Sequence, residues 1–273
     1  MNASLPPLPS GVRLLKNPEM DWLLRLHPDI PSSPSNCPTC RGEKTFQWYV
    51  EDEVATYDCP CIDQWTLYLY LLYHGVPRHE QQLGLRDAKA ANPESVEVVK
   101  EYIRTFSEYR RRGLGLFLWG ANGTGKTMLG SIVLKEALGQ GYRGFFTSFA
   151  DLLSRRMIGF SDKDYTVWYT SQVKNAELLL LDDPGKEHRA NVSFVDSVLD
   201  DLVRYRINML LPTIITTNVS PQRVESIYGD SVASLLNETM NQHHVRGTDF
   251  RPTWYKISLD EKDRRLVRPI CIS

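Results

Sequence analysis

The chain has 273 residues, of which 42% are hydrophobic and 24% charged, and its formal net charge is −1. That balance excludes a uniformly basic nucleic-acid binder while leaving room for a local basic patch, and no stretch approaches the roughly 20 apolar residues of a membrane span. The opening "MNASLPPLPSGVRLLKN" lacks the charged-then-apolar order of a signal peptide, so a cytoplasmic, reducing location is expected and the five cysteines are not read as disulfides.

Residues 1–36 are rich in proline and serine around one apolar run, "MDWLLRL" at 20–26. It reads either as a short helix packed on the body or as a docking segment for a partner. The segment 37–61 carries four cysteines. "DQWTLYLYLLYHG" reads as a buried helix ended by Gly75 and Pro77, and residues 91–112, with Val96, Val99, Ile103 and Phe106 at helical spacing, as a linker helix. From 113 to 273 short apolar runs alternate with helical stretches. The strands are "LGLFLWG", "RGFFTSF", "AELLLLDD" and "LPTIITTN". Buried strands separated by helices predict a parallel sheet covered on both faces.

Cys37 and Cys40 are two residues apart, Cys59 and Cys61 one apart. Four thiolates presented on two tight turns complete a tetrahedron around zinc, with "FQWYV" and "VATYD" as the strands of a ribbon between them. So small a segment cannot build its own core, and bound Zn²⁺ would supply its folding energy. An iron–sulfur cluster is the other reading. Cys271 stands alone, and His74 reads as a helix-end residue rather than a fifth ligand.

The pattern G-x-x-x-x-G-K-[ST] is met in full by residues 120–127, Gly120, Ala121, Asn122, Gly123, Thr124, Gly125, Lys126 and Thr127. A strand precedes it and a helix follows, so the loop amides would turn toward phosphate oxygens at a helix N-terminus. Lys126 would reach the β- and γ-phosphates and the Thr127 hydroxyl would ligate Mg²⁺. "LLLLDDPG" ends an apolar strand in two carboxylates: Asp182 to hold the magnesium, Asp183 to orient or deprotonate the attacking water. Asn218, at the end of the next strand, could position the same water. Carboxyl ends of parallel strands are where such folds bind ligands.

These pieces together resemble the AAA+ helicase-loader family (DnaC- and DnaI-like, with the transposition relative IstB). The matching strings are "LGLFLWGANGTGKT", "LLLLDDPG", "VRYRINMLLPTIITTN" and "RGTDFR", in the family's order over about residues 92 to 251. The resemblance implies an α/β AAA+ P-loop NTPase core with a five-stranded parallel sheet of order 5-1-4-3-2, its fifth strand near "HHVRG". It implies ATP as the nucleotide, self-association into an oligomer that embraces single-stranded DNA, and docking of the 1–90 region on a replicative helicase. By position Arg251 would be the sensor-2-like arginine. Only 22 residues follow it, which points to a reduced or absent lid. The cysteine ribbon departs from DnaC, which lacks it.

A helicase loader is the leading expectation, and an IstB-like ATP-dependent transposition helper the alternative. A nucleotide kinase would need no Asn218 and would show an Arg-rich lid that is missing here. Family members usually carry a "GERxxxR"-like stretch whose arginines reach a neighbour's γ-phosphate, whereas "YGDSVASLLNE" places Ser231 and Leu235 there. Arg206 is the substitute expected to act in trans, with Arg204, Arg223 and Arg246 weaker candidates, and slow hydrolysis by the lone protein follows. Arg155, Arg156 and Lys163 alternate with Phe160, Tyr165, Trp168 and Tyr169, which would suit phosphate contacts and base stacking on a single strand, or else packing between helices.

Overall fold

A computed structural model describes residues 8–30, 37, 40–50, 53–59, 61–158, 163–185, 192–263 and 268–272. Helix α1 (Asn17–Leu26) is opened by Pro18 in its first turn and buries Leu23 against Leu69 and Leu72. Strands β1 (Thr45–Val50) and β2 (Glu53–Asp58) pair antiparallel from Thr45–Asp58 to Val50–Glu53. Helix α2 (Cys61–Tyr73) starts on a cysteine and buries Leu67, Tyr70 and Leu71 in the main core.

At the end of α2 the chain turns along the sheet. The Phe146 amide donates to the His74 carbonyl at 2.9 Å, and a Cβ on Gly75 would lie 2.2 Å from the Phe146 carbonyl oxygen. Gly75 has φ +77, so both conformation and space demand glycine. Helix α3 (Leu85–Ala91) follows, then α4 (Pro93–Arg104), capped by Asn92, and α5 (Phe106–Arg112). The expected single linker helix is therefore two helices. Val96, Val99, Tyr102 and Phe106 are buried in the core beside the sheet, so this segment packs rather than links.

The sheet proper comprises β3 (Gly115–Trp119), β4 (Gly144–Ser148), β5 (Leu178–Asp182), β6 (Thr213–Thr217) and β7 (Met240–His244). Its order is β4-β5-β6-β3-β7 with every pairing parallel. Counted from the first of these five strands, that is 2-3-4-1-5, the expected order read from its other edge. Period-2 alternation divides each strand between two cores. Leu116, Phe146, Leu180 and Ile214 face α6 (Lys126–Gly139), whereas Phe117, Phe145, Leu179 and Ile215 face the opposite layer. That layer holds α7 (Phe149–Ile158), α8 (Lys163–Trp168), a π-helical turn at Tyr169–Lys174, α9 (Val192–Asn208) and α10 (Pro221–Thr239).

Strand β7 starts three residues before the expected "HHVRG". It is an edge strand whose Asn241 and Gln242 are exposed, so no apolar run marks it. Among the described residues one helix, α11 (Arg251–Asp263), follows the sheet. Residues 268–272 then return to the N-terminal region, where the Ile270 amide donates to Gln64 Oε1 at 2.8 Å. No helix among the described residues is long and apolar enough to cross a membrane.

Candidate nucleotide site and cysteine cluster

The loop between β3 and α6 closes over the carboxyl ends of β3, β5 and β6. Gly125 caps α6 at φ +92, and Gly123, at φ +76, passes so near Asp249 that a Cβ would fall 1.9 Å from its Oδ1. Lys126 is buried and its Nζ donates to the Ala121 carbonyl at 2.6 Å. The Thr127 hydroxyl donates to Asp182 Oδ1 at 2.9 Å, and the Thr216 hydroxyl donates to the same oxygen. Burial pushes the Asp182 carboxyl above its usual range; the two hydroxyl bonds oppose that rise and the charges of Asp183 and Glu80 add to it. A divalent cation would reverse it, and a hydroxyl beside a carboxylate is the hard oxygen pair that Mg²⁺ prefers. Thr127 and Asp182 would hold that ion, whose charge would offset the phosphate oxygens.

Asp183 sits at φ +60, its amide donating to the Thr216 carbonyl at 2.7 Å. This left-handed residue turns the chain off β5 where the two strands end. Asn218 Nδ2 donates to Asn122 Oδ1 at 2.9 Å, tying the end of β6 to the phosphate loop, and Asn218 Oδ1 is buried without a partner among the described residues. Lys126, Thr127, Asp182, Asp183 and Asn218 all line one cavity of about 410 Å³. Asn122, Gly123 and Gly125 line it too, and Arg251, at the start of α11, stands at its wall with a largely exposed side chain.

The same cavity has a wall that sequence reading missed: Pro77, His79, Glu80 and Leu83 from the segment before α3, with Phe250 and Trp254 from the other side. Only a Gly-Val-Pro turn after an apolar helix marked the first group, and nothing local ties it to a phosphate loop.

Arg206 does not serve as a trans arginine. It is fully buried, its Nε donating to Thr213 Oγ1 (2.8 Å), Nη1 to the carbonyls of Val173, Lys174 and Ala176, and Nη2 to that of Pro212. The carbonyl acceptors precede β5 and β6 and Thr213 opens β6, at the end of the sheet opposite the phosphate loop. Arg204 is held by Asp200 and by Ser231 of α10, and Arg246 Nε lies 3.3 Å from His244 Nδ1.

The stacking reading of the 155–169 stretch also changes. Trp168 and Tyr169 are buried, with Arg155 and Arg156 lying 4.9 and 5.2 Å over their respective rings. Rings already covered by guanidinium groups offer no free face to a base. Phe160 lies outside the described residues.

In the N-terminal region the sulfurs of Cys37, Cys40, Cys59 and Cys61 all lie within 4.8 Å of one another, with Cys37–Cys59 at 3.6 Å and Cys40–Cys61 at 3.4 Å. Four sulfurs about 2.3 Å from one zinc stand roughly 3.8 Å apart at tetrahedral angles, so the donor set fits that ion. Burial raises the Cys59 and Cys61 thiols, and the crowding of neighbouring thiols adds to it for Cys61. A bound cation would remove the obstacle to ionisation. His74 stands apart, its buried Nδ1 2.7 Å from the Gly144 carbonyl oxygen, and is no ligand of this group.

A parallel sheet of this order, with a phosphate loop, an acidic strand end and a polar amide on the adjacent strand, defines an AAA+ P-loop nucleotide-binding core. The chain belongs to the IstB-like ATP binding protein family, which matches residues 95–249. The replicative helicase loader DnaI of Bacillus subtilis (strain 168) is 28% identical over 129 residues, 46% of this chain and 40% of the relative. This chain thus matches well under half of that relative's length. The crystal structure of the DnaC helicase loader superposes with a TM-score of 0.55 at 26% identity, covering 62% of this chain and 100% of the other. A crystal structure of DnaI gives 0.50 at 19% identity over 63% of this chain and 93% of the other, which shows the shared fold.

Proposed function

We propose that this protein is an ATP-dependent loader that delivers a replicative ring helicase to single-stranded DNA. The observation that carries the reading is the similarity of its ATPase core, in sequence to the loader DnaI and in structure to the loader DnaC. The assembled nucleotide site supplies the switch such a loader needs. The 1–90 region, whose four cysteines would bind one zinc ion, is the helicase-docking element. The 113–273 core self-associates around the DNA strand in the cytoplasm. With Arg206 committed to the interior, ATP serves chiefly to hold the assembly together, and hydrolysis awaits DNA or helicase.

The family's IstB-like description favours a second reading, a transposition helper that recruits a transposase on duplex DNA. The two separate in one experiment: capture of the purified replicative helicase, followed by its transfer to single-stranded DNA with ATP and with a nonhydrolysable analogue. ATP-dependent transfer supports the loader. Absence of helicase binding, with ATP-dependent binding to duplex DNA instead, overturns it.

A further inference from the structure

Glu80 is 4% exposed and lines the nucleotide cavity together with Thr127 and Asp182. One of its carboxylate oxygens, Oε1, lies 3.1 Å from His79 Nε2, while Oε2 is buried with no hydrogen-bond partner among the described residues. A buried carboxylate oxygen without a donor is costly, and proteins keep few of them. The backbone around it is held in place by the P-loop helix itself. Lys135, on α6 and fully buried, donates through Nζ to the carbonyls of Glu80 (2.9 Å), Gln81 (3.3 Å) and Leu83. Lys135 lies two turns beyond Thr127 on the same face of α6. The segment carrying Glu80 is therefore fastened along the face that presents the Thr127 hydroxyl to Asp182.

We propose that Glu80 is a positioning residue for the metal–nucleotide complex: its free carboxylate oxygen accepts a hydrogen bond from a water on the Mg²⁺ held by Thr127 and Asp182. The proposal rests on the phosphate-loop assignment and adds to it a third acid, supplied from outside the ATPase motifs. Magnesium keeps several of its waters when bound through one or two protein oxygens, and carboxylates that orient metal-bound groups strengthen metal affinity. The contact also gives the N-terminal region a direct sensor of the nucleotide's metal.

The test is the affinity of a fluorescent ATP analogue measured across a Mg²⁺ titration and in EDTA, for wild type, Glu80→Gln and Glu80→Asp, with Lys126→Ala as the control for the site. Glu80→Gln keeps the shape and the backbone carbonyls that Lys135 uses, and an unchanged melting temperature checks that. The half-saturating Mg²⁺ should rise roughly tenfold in Glu80→Gln, while affinity in EDTA stays equal or improves as a negative charge leaves. Glu80→Asp, charged but shorter, should fall between. An unchanged Mg²⁺ requirement in Glu80→Gln overturns the proposal. So does an equal loss with and without Mg²⁺, which would place Glu80 on the nucleotide itself. Lys126→Ala should lose binding in both conditions, and its failure to do so would instead reject the phosphate-loop site.

Discussion

Replacing Arg206 with alanine should unfold the protein more readily without touching its chemistry. The guanidinium makes five hydrogen bonds, four of them to backbone carbonyls between 2.7 and 3.1 Å. Bonds from a charged donor are worth about 1.5–3 kcal/mol each, offset by a desolvation cost of several kcal/mol for burying the ion. Burial draws its pKa down to about 9, with the nearby Arg110 adding to the effect, so the group stays protonated near neutral pH. Removing it leaves carbonyls unpaired and a cavity behind, for a net loss of about 3–5 kcal/mol. Urea denaturation followed by tryptophan fluorescence reads this as a large drop in midpoint. In native buffer, ATP affinity and turnover per folded molecule should match wild type. A variant with wild-type stability but abolished turnover would refute the argument and return Arg206 to the catalytic role.

His74 is buried and its pKa falls to about 4, chiefly through desolvation. The unfolded chain, titrating near 6.5, takes up a proton that the folded chain refuses, so stability present above pH 6.5 is lost as pH falls toward 4. At pH 5 the loss is about 2 kcal/mol, and His74→Phe should flatten the urea midpoint between pH 7 and pH 5. The purified protein should contain about one zinc per chain, measured by elemental analysis; an iron chromophore in its place would show the other cluster chemistry. Cys59→Ser should lose that metal and helicase capture while keeping ATP affinity, and parallel loss of ATP binding would count against a separate metal module. Arg155→Ala with Arg156→Ala should lower melting temperature through the lost ring packing, with little change in single-strand affinity or its salt dependence; a steep fall in affinity at unchanged stability would restore the DNA role.

Strands β3 to β6 were legible because both of their faces are buried, leaving nearly unbroken apolar runs such as "LLLL" at 178–181. The phosphate loop and its acidic strand end could be read because the spacing itself is the chemistry. Edge strand β7 was placed only by its last two residues, His243 and His244, because one neighbour and a wet face ask little of its sequence. Arg206 carried a signal that went unused. It continues the apolar stripe of Val195, Val198, Leu199 and Leu202 at three- and four-residue steps, so its position on α9 was an interior one despite its charge. Trp168 and Tyr169 failed as a stacking platform for a related reason, since composition lists aromatics and arginines but cannot say that they face each other. The cavity wall from Pro77 to Leu83 depends on where α2 delivers the chain, which is a tertiary fact.

Lys135 is an ammonium buried in the heart of one segment whose acceptors all lie 52 to 55 residues upstream. Any ancestral recombination that exchanged N-terminal modules among such ATPases at the start of the conserved motifs would have stranded that charge in an apolar interior. A viable crossover must fall before residue 80, and the sheet-edge bond of His74 moves it earlier still. The unit that packs as one body is therefore longer than the family match at 95–249, and α2 belongs to it through Leu67, Tyr70 and Leu71 in the main core.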